Sequence, residues 1–162
     1  MRFVLKQEFW SFGDDFAIRD EKGNDHYFVD GRVFSFGDEL TLRDMAGQVV
    51  ATISQRLLSW GPKYEIHRPG RGMVEVAKEH FTFFFCKFTV EGPGDEDYEA
   101  SGDFLDHDYE FTRGGGLVAR VNKEWLTFSD CYGIEIADSE DPVLLLATAV
   151  VIDLICHNGK NH

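Results

Sequence analysis

Apolar and polar residues alternate in short runs over roughly the first 140 positions, and the pattern then changes to one continuous apolar block at 143–152. The block predicts an α-helix with both ends marked. Asp141 is a good N-cap, Pro142 suits the first helical position, where no backbone N–H is needed, and Gly159 stands where a left-handed residue closes the last turn. Leu144, Leu145, Leu146, Val150 and Ile152 place apolar groups all round the helical wheel, so protein or lipid must enclose the helix. A membrane span needs about 20 apolar residues, and this run is cut short by Asp153. The sequence therefore predicts a core helix, with the Asp153 carboxylate reaching backbone N–H groups or water near one end.

The alternating part reads as about a dozen short strands separated by Gly, Asp and Asn turns. It contains a repeat at an offset of 24 residues. The stretch from Phe12, Gly13 and Asp14 through Phe16, Ile18, Arg19 and Asp20 to Gly23 matches that from Phe36, Gly37 and Asp38 through Leu40, Leu42, Arg43 and Asp44 to Gly47. Each copy predicts a hairpin whose apolar residues share a face and whose turn ends in glycine. Weaker copies begin at Tyr64 and Tyr109. A meander of about twelve strands must curl, split or close to protect its edges, and an all-apolar helix is a suitable filling for the closed form. The expectation is a mainly β fold: one domain over 1–162, a closed antiparallel barrel around a buried C-terminal helix.

Composition narrows the functional classes. The chain has 162 residues and is 43% hydrophobic, enough for a substantial core. Cys86, Cys131 and Cys156 are far apart, odd in number and outside CxxC pairs, so they read as reduced packing residues. The opening residues show no leader-like apolar region, which points to the cytoplasm. A net charge of −13, from 29 acids and 16 bases, repels nucleic acid and makes it an unlikely partner. The charge is uneven. Residues 45–74 hold Arg56, Lys63, Arg68 and Arg71 against Glu65 alone, whereas 91–110 carry acids and no Lys or Arg.

The paired Phe-Gly-Asp hairpins, the Tyr64 and Ile66 run, the Gly102–Asp103 step and the ending from Leu144 to Asp153 together resemble the LURP-one-related family. That family belongs to the Tubby C-terminal-like superfamily, which also includes the phospholipid scramblases. The resemblance runs essentially end to end and implies a barrel of about twelve strands around a central C-terminal helix. It also implies association with membranes: Tubby relatives bind phosphoinositide head groups through basic residues on the barrel surface, and scramblases act at membranes with calcium. The chain has no scramblase-like N-terminal extension and no cysteine cluster for lipidation, which argues against scramblase activity. Fold analogy alone does not transfer function.

Three groups of residues carry candidate chemistry. Arg56, Lys63, Arg68 and Arg71 form a candidate site for a phospholipid or phosphoinositide head group, against the plainer reading of solvated hairpin charge. Asp95, Asp97, Asp103 and Asp106 imitate the spacing of a calcium loop, yet Ala100 replaces the turn glycine and Asp106 the bidentate Glu, so a solvated acidic loop is the stronger reading. The run from Phe81 through Phe83 and Phe85 to Phe88 and Val90 is apolar on both faces if it is a strand. Only one face can line a barrel, and the other is either covered by a loop or offered to another protein or a second copy.

No Walker loop, nucleophile elbow or zinc-protease pair is present, and Asp106, His107 and Asp108 alone are a weak metal signal. No cofactor is predicted. The sequence thus predicts a non-enzymatic binding module, cytoplasmic or peripheral at the membrane. A lipid ligand leads; a protein-interaction or oligomerisation role for the aromatic strand is the alternative, and an enzyme with a cleft not visible in sequence is the third.

Overall fold

The structure, a computed structural model, describes residues 1–7, 16–34, 37–56, 61, 63–80, 86–92, 97–126 and 130–157. These form twelve strands and one helix. The strands are β1 (Arg2–Lys6), β2 (Phe16–Asp20), β3 (Asp25–Phe34), β4 (Gly37–Asp44), β5 (Val49–Gln55), β6 (Lys63–Arg68), β7 (Gly72–His80), β8 (Cys86–Glu91), β9 (Tyr98–Asp103), β10 (Asp108–Arg113), β11 (Gly116–Asn122) and β12 (Cys131–Ile136). Each pairs antiparallel with its neighbour in sequence, and β1 pairs with β12 from Arg2 opposite Glu135 to Lys6 opposite Cys131. That last pairing closes the barrel and leaves no open edge.

The helix α1 (Pro142–His157) occupies the interior, with every residue from Leu144 to Ile155 buried. The inward positions of the wall alternate as period two requires: Leu40 and Leu42, Tyr64 and Ile66, Val74 and Val76, Tyr109 and Phe111, and Tyr132 with Ile134 and Ile136. Asp141 caps the helix, its Oδ1 accepting from the Val143 N–H at 3.0 Å. Thr148, polar in an apolar helix, donates its hydroxyl to the Leu144 carbonyl at 2.8 Å and so needs no outside partner.

The 24-residue repeat is one turn built twice. Asp20 Oδ1 accepts from the N–H groups of Lys22 and Asn24, both at 2.9 Å, and Asp44 Oδ1 accepts from those of Ala46 and Gln48, both at 3.0 Å. Both hairpins also shift register at matching places, between Ile18 and Arg19 and between Leu42 and Arg43. Gly47, at φ 80°, supplies the left-handed conformation that closes the turn. In the first copy His26 Nε2 adds a contact to Asp20 Oδ2 at 2.9 Å. This contact and the turn N–H groups hold the Asp20 carboxyl well below the usual carboxylate range. The Phe12 to Asp14 and Phe36 parts of the repeat lie outside the described residues.

Even-numbered strands end on the rim where α1 begins, called here the entry rim. Odd-numbered strands end on the opposite, exit rim, where α1 finishes.

Candidate functional site

At the entry rim, the β6–β7 hairpin brings two guanidinium groups to the helix cap. Arg68 Nη1 donates to Asp141 Oδ2 at 2.8 Å and Arg71 Nη1 donates to the same oxygen at 3.1 Å. The two arginines differ in setting: the Arg68 side chain is 3% exposed and that of Arg71 60%. Asp141 thus uses one oxygen for the helix N–H and the other for two cations. Beside it, Glu140 accepts from the Tyr98 hydroxyl at 2.8 Å and from Arg113, which also lies over the Tyr98 ring. On the adjacent β4–β5 hairpin, Arg43 donates to the Gly47 carbonyl at 3.1 Å, which keeps its charge near the tip.

The four basic residues singled out in the sequence do not converge. Arg56 and Lys63 flank the exit-rim end of β6, Arg68 ends the same strand, and a six-residue strand separates its ends by about 17 Å. Arg56 and Lys63 instead reach one acid on the outer wall, Glu75, at 2.8 and 3.4 Å. The acidic residues are divided in the same way. Asp97 precedes β9 on the entry rim, where it accepts from the Gly92 N–H at 3.1 Å, while Asp103 ends β9 on the exit rim and accepts from the Asp106 N–H at 3.1 Å. Asp95 lies outside the described residues, as do Phe81, Phe83 and Phe85.

At the exit rim the chemistry is internal. Asp153, 2% exposed, lies with Oδ1 2.7 Å from His107 Nε2 and 3.7 Å from His157 Nε2. This corrects the expectation of backbone or water partners for Asp153. A side chain 46 positions earlier in the chain meets it. Asp153 and His157 share a helix face because they are four residues apart. The two imidazoles stack with centroids 4.6 Å apart and planes 5° from parallel, and His107 also stacks on Tyr132 at 4.5 Å. His157 Nε2 reaches the Phe104 carbonyl at 3.2 Å, fastening the helix end to the β9–β10 turn.

That turn is itself constrained. His107 has φ 52°, and Gly102 (φ 137°) packs so closely on β10 that an added Cβ would lie 2.7 Å from the Asp108 carbonyl oxygen. The surroundings are apolar and carry one buried acid, which keeps nearby protons in place. Burial, reinforced by the Asp153 charge, holds the Tyr109 and Tyr132 hydroxyls well above their ordinary value. Burial pushes the Cys156 thiol up to about 12, with Cys86 and Asp153 adding to the shift and Lys78 opposing it.

Sequence reasoning weighed His107 only as a weak metal signal with its neighbours Asp106 and Asp108, and gave no role to His157. The available signal was one carboxylate in an otherwise apolar helix with a histidine four residues on, which asks for a buried polar partner. Among the described residues, no helix is long and apolar enough to cross a membrane.

Comparison with known proteins agrees with this architecture. A structure of an Arabidopsis thaliana protein superposes with a TM-score of 0.68 over 95% of this chain and 90% of its own, at 16% identity, which establishes a shared fold. The uncharacterized protein YxjI of Bacillus subtilis (strain 168) is 35% identical over 161 residues, covering 99% of this chain and 97% of that protein. Residues 1–153 match the LURP-one-related family, and the chain belongs to it.

Proposed function

We propose that the chain is a non-enzymatic binding module that docks its entry rim on an anionic membrane surface and takes a phosphorylated lipid head group beside Arg71. The observation that carries this reading is the grouping of exposed apolar side chains with arginines on one rim. Met1, Met45, Met73 and Leu117 are exposed large hydrophobic residues in entry-rim turns or in the strand residues next to them, and Phe28 is exposed on the outer wall within β3. Arg43, Arg68 and Arg71 lie on two adjacent hairpins of the same rim, and Asp141 offsets one of their charges. The start of α1 adds the positive end of the helix dipole.

A helix fills the interior, so a ligand is met at a rim or on the outer wall. Attraction is worth about 1 kcal/mol per basic residue near an anionic surface. The net charge of −13 opposes it at long range, so contact depends on apolar tips and a multiply charged head group together.

Vesicle flotation tests the proposal with neutral, phosphatidylserine and phosphoinositide-doped vesicles at low and moderate salt. The expected result is salt-sensitive flotation with the phosphoinositide vesicles, lost in Arg71→Glu and weakened in Met45→Ser, while circular dichroism is unchanged. Flotation indifferent to both substitutions, or absent under every condition, would overturn it.

A further inference from the structure

The exit rim carries a second, independent arrangement. Asp153 is a carboxylate almost without solvent, and burying such a charge costs several kcal/mol unless it is neutralised. Its neighbours are two imidazoles, and the donor atoms of His107, Asp153 and His157 all lie within 4.8 Å of one another. Buried Nδ1 of His107 has no hydrogen-bond partner among the described residues. When Nε2 donates to Asp153, this nitrogen holds a lone pair that the protein does not use. His107 is also the non-glycine residue held at positive φ among the described residues, and such strain gathers at ligand sites.

We propose that His107, Asp153 and His157 bind a divalent transition-metal cation of the zinc type. Two imidazoles and one carboxylate suit borderline cations such as Zn²⁺ and Co²⁺, whereas Ca²⁺ and Mg²⁺ call for oxygen donors. Metal–ligand bonds of about 2.0–2.1 Å in a tetrahedron set neighbouring donors about 3.3 Å apart. The observed separations from Asp153 Oδ1, 2.7 Å to His107 and 3.7 Å to His157, fall on either side of that value, and one imidazole must turn out of the 5° stack so that both in-plane lone pairs meet the same cation. On binding, the cation replaces the proton between His107 Nε2 and Asp153, and that proton moves to the unused His107 Nδ1. His157 gives up its bond to the Phe104 carbonyl, and the proton that made that bond moves from Nε2 to Nδ1 so that Nε2 is free to ligate. Three protein ligands leave the fourth position to water or an external donor. The site lies on the rim opposite the proposed lipid surface, so it stands or falls separately.

The test uses tag-free full-length chain stripped with chelator and titrated with Zn²⁺ or Co²⁺. Expected are one equivalent bound, visible Co²⁺ ligand-field bands, a raised melting temperature with Zn²⁺ but not with Ca²⁺ or Mg²⁺, and imidazole ¹⁵N shifts at His107 and His157 while His26 and His67 stay unmoved. In His157→Gln the affinity should fall at least about 10–100-fold, since loss of even an outer-shell partner costs that much. Absence of stoichiometric binding, or Zn²⁺ shifts confined to His157 and His162 with His107 unmoved, would overturn the assignment. The shift measurement needs no variant, so it decides the matter even where a substitution fails to fold.

Discussion

The two ends of the central helix meet charge in opposite ways. At the entry rim Asp141 is partly exposed, caps the helix and draws two arginines, one buried and one in solvent. At the exit rim Asp153 is sealed in and draws histidines, with tyrosines and a cysteine kept neutral around it. A charge at a rim can be shared with an incoming ligand, because water already reaches it. A charge in the core must be balanced from within, and any partner that replaces a proton there has to be another cation.

The comparison breaks first if the helix is not the common core. Leu145→Asp puts an unpartnered carboxylate inside the barrel, one turn past the helix cap, and is expected to abolish cooperative unfolding, read by thermal circular dichroism. A soluble variant that melts cooperatively would count against the central helix.

A smaller effect sharpens the exit-rim half. Cys156, Tyr109 and Tyr132 have folded values above their unfolded ones, so the native state holds their protons longer than the unfolded chain does. Their contribution is complete below pH about 9 and is lost as pH rises through the folded values, about 12 for Cys156. Urea midpoints should therefore fall progressively between pH 9 and 12, and a flat profile across that window would contradict the sealed environment.

The arginine pair gives the next contrast. Arg68→Ala removes a buried partner of Asp141 and is expected to cost about 2 kcal/mol, below the roughly 3–5 kcal/mol of a fully buried pair because Arg71 remains. Arg71→Ala, at an exposed position, should cost less than about 1 kcal/mol while weakening flotation. Equal losses of stability would mean that the two positions are not differently buried.

Much of this architecture is written locally in the chain. Asp141 and Pro142 announce the helix start, the apolar wheel from Leu144 to Ile152 demands enclosure, and the 24-residue repeat specifies the turns at Asp20 and Asp44. Closure is one of the ways in which such a meander protects its edges, and an all-apolar helix that needs enclosure favours it. The sites are less legible because they depend on which strand end a residue occupies. Lys63 and Arg68 are neighbours in sequence yet sit on opposite rims, and Asp97 and Asp103 are parted in the same way by β9. His107 meets Asp153 only through closure of the barrel around the helix, and no local pattern encodes that meeting.

The most direct test of the account is a double-mutant cycle between His107→Ala and Asp153→Asn, measured by urea unfolding in the presence of chelator so that the bare pair is read. A coupling energy of about 1–3 kcal/mol is predicted for side chains in one buried network. Additivity within about 0.5 kcal/mol would contradict the claim that the buried charge at the helix end is held by His107.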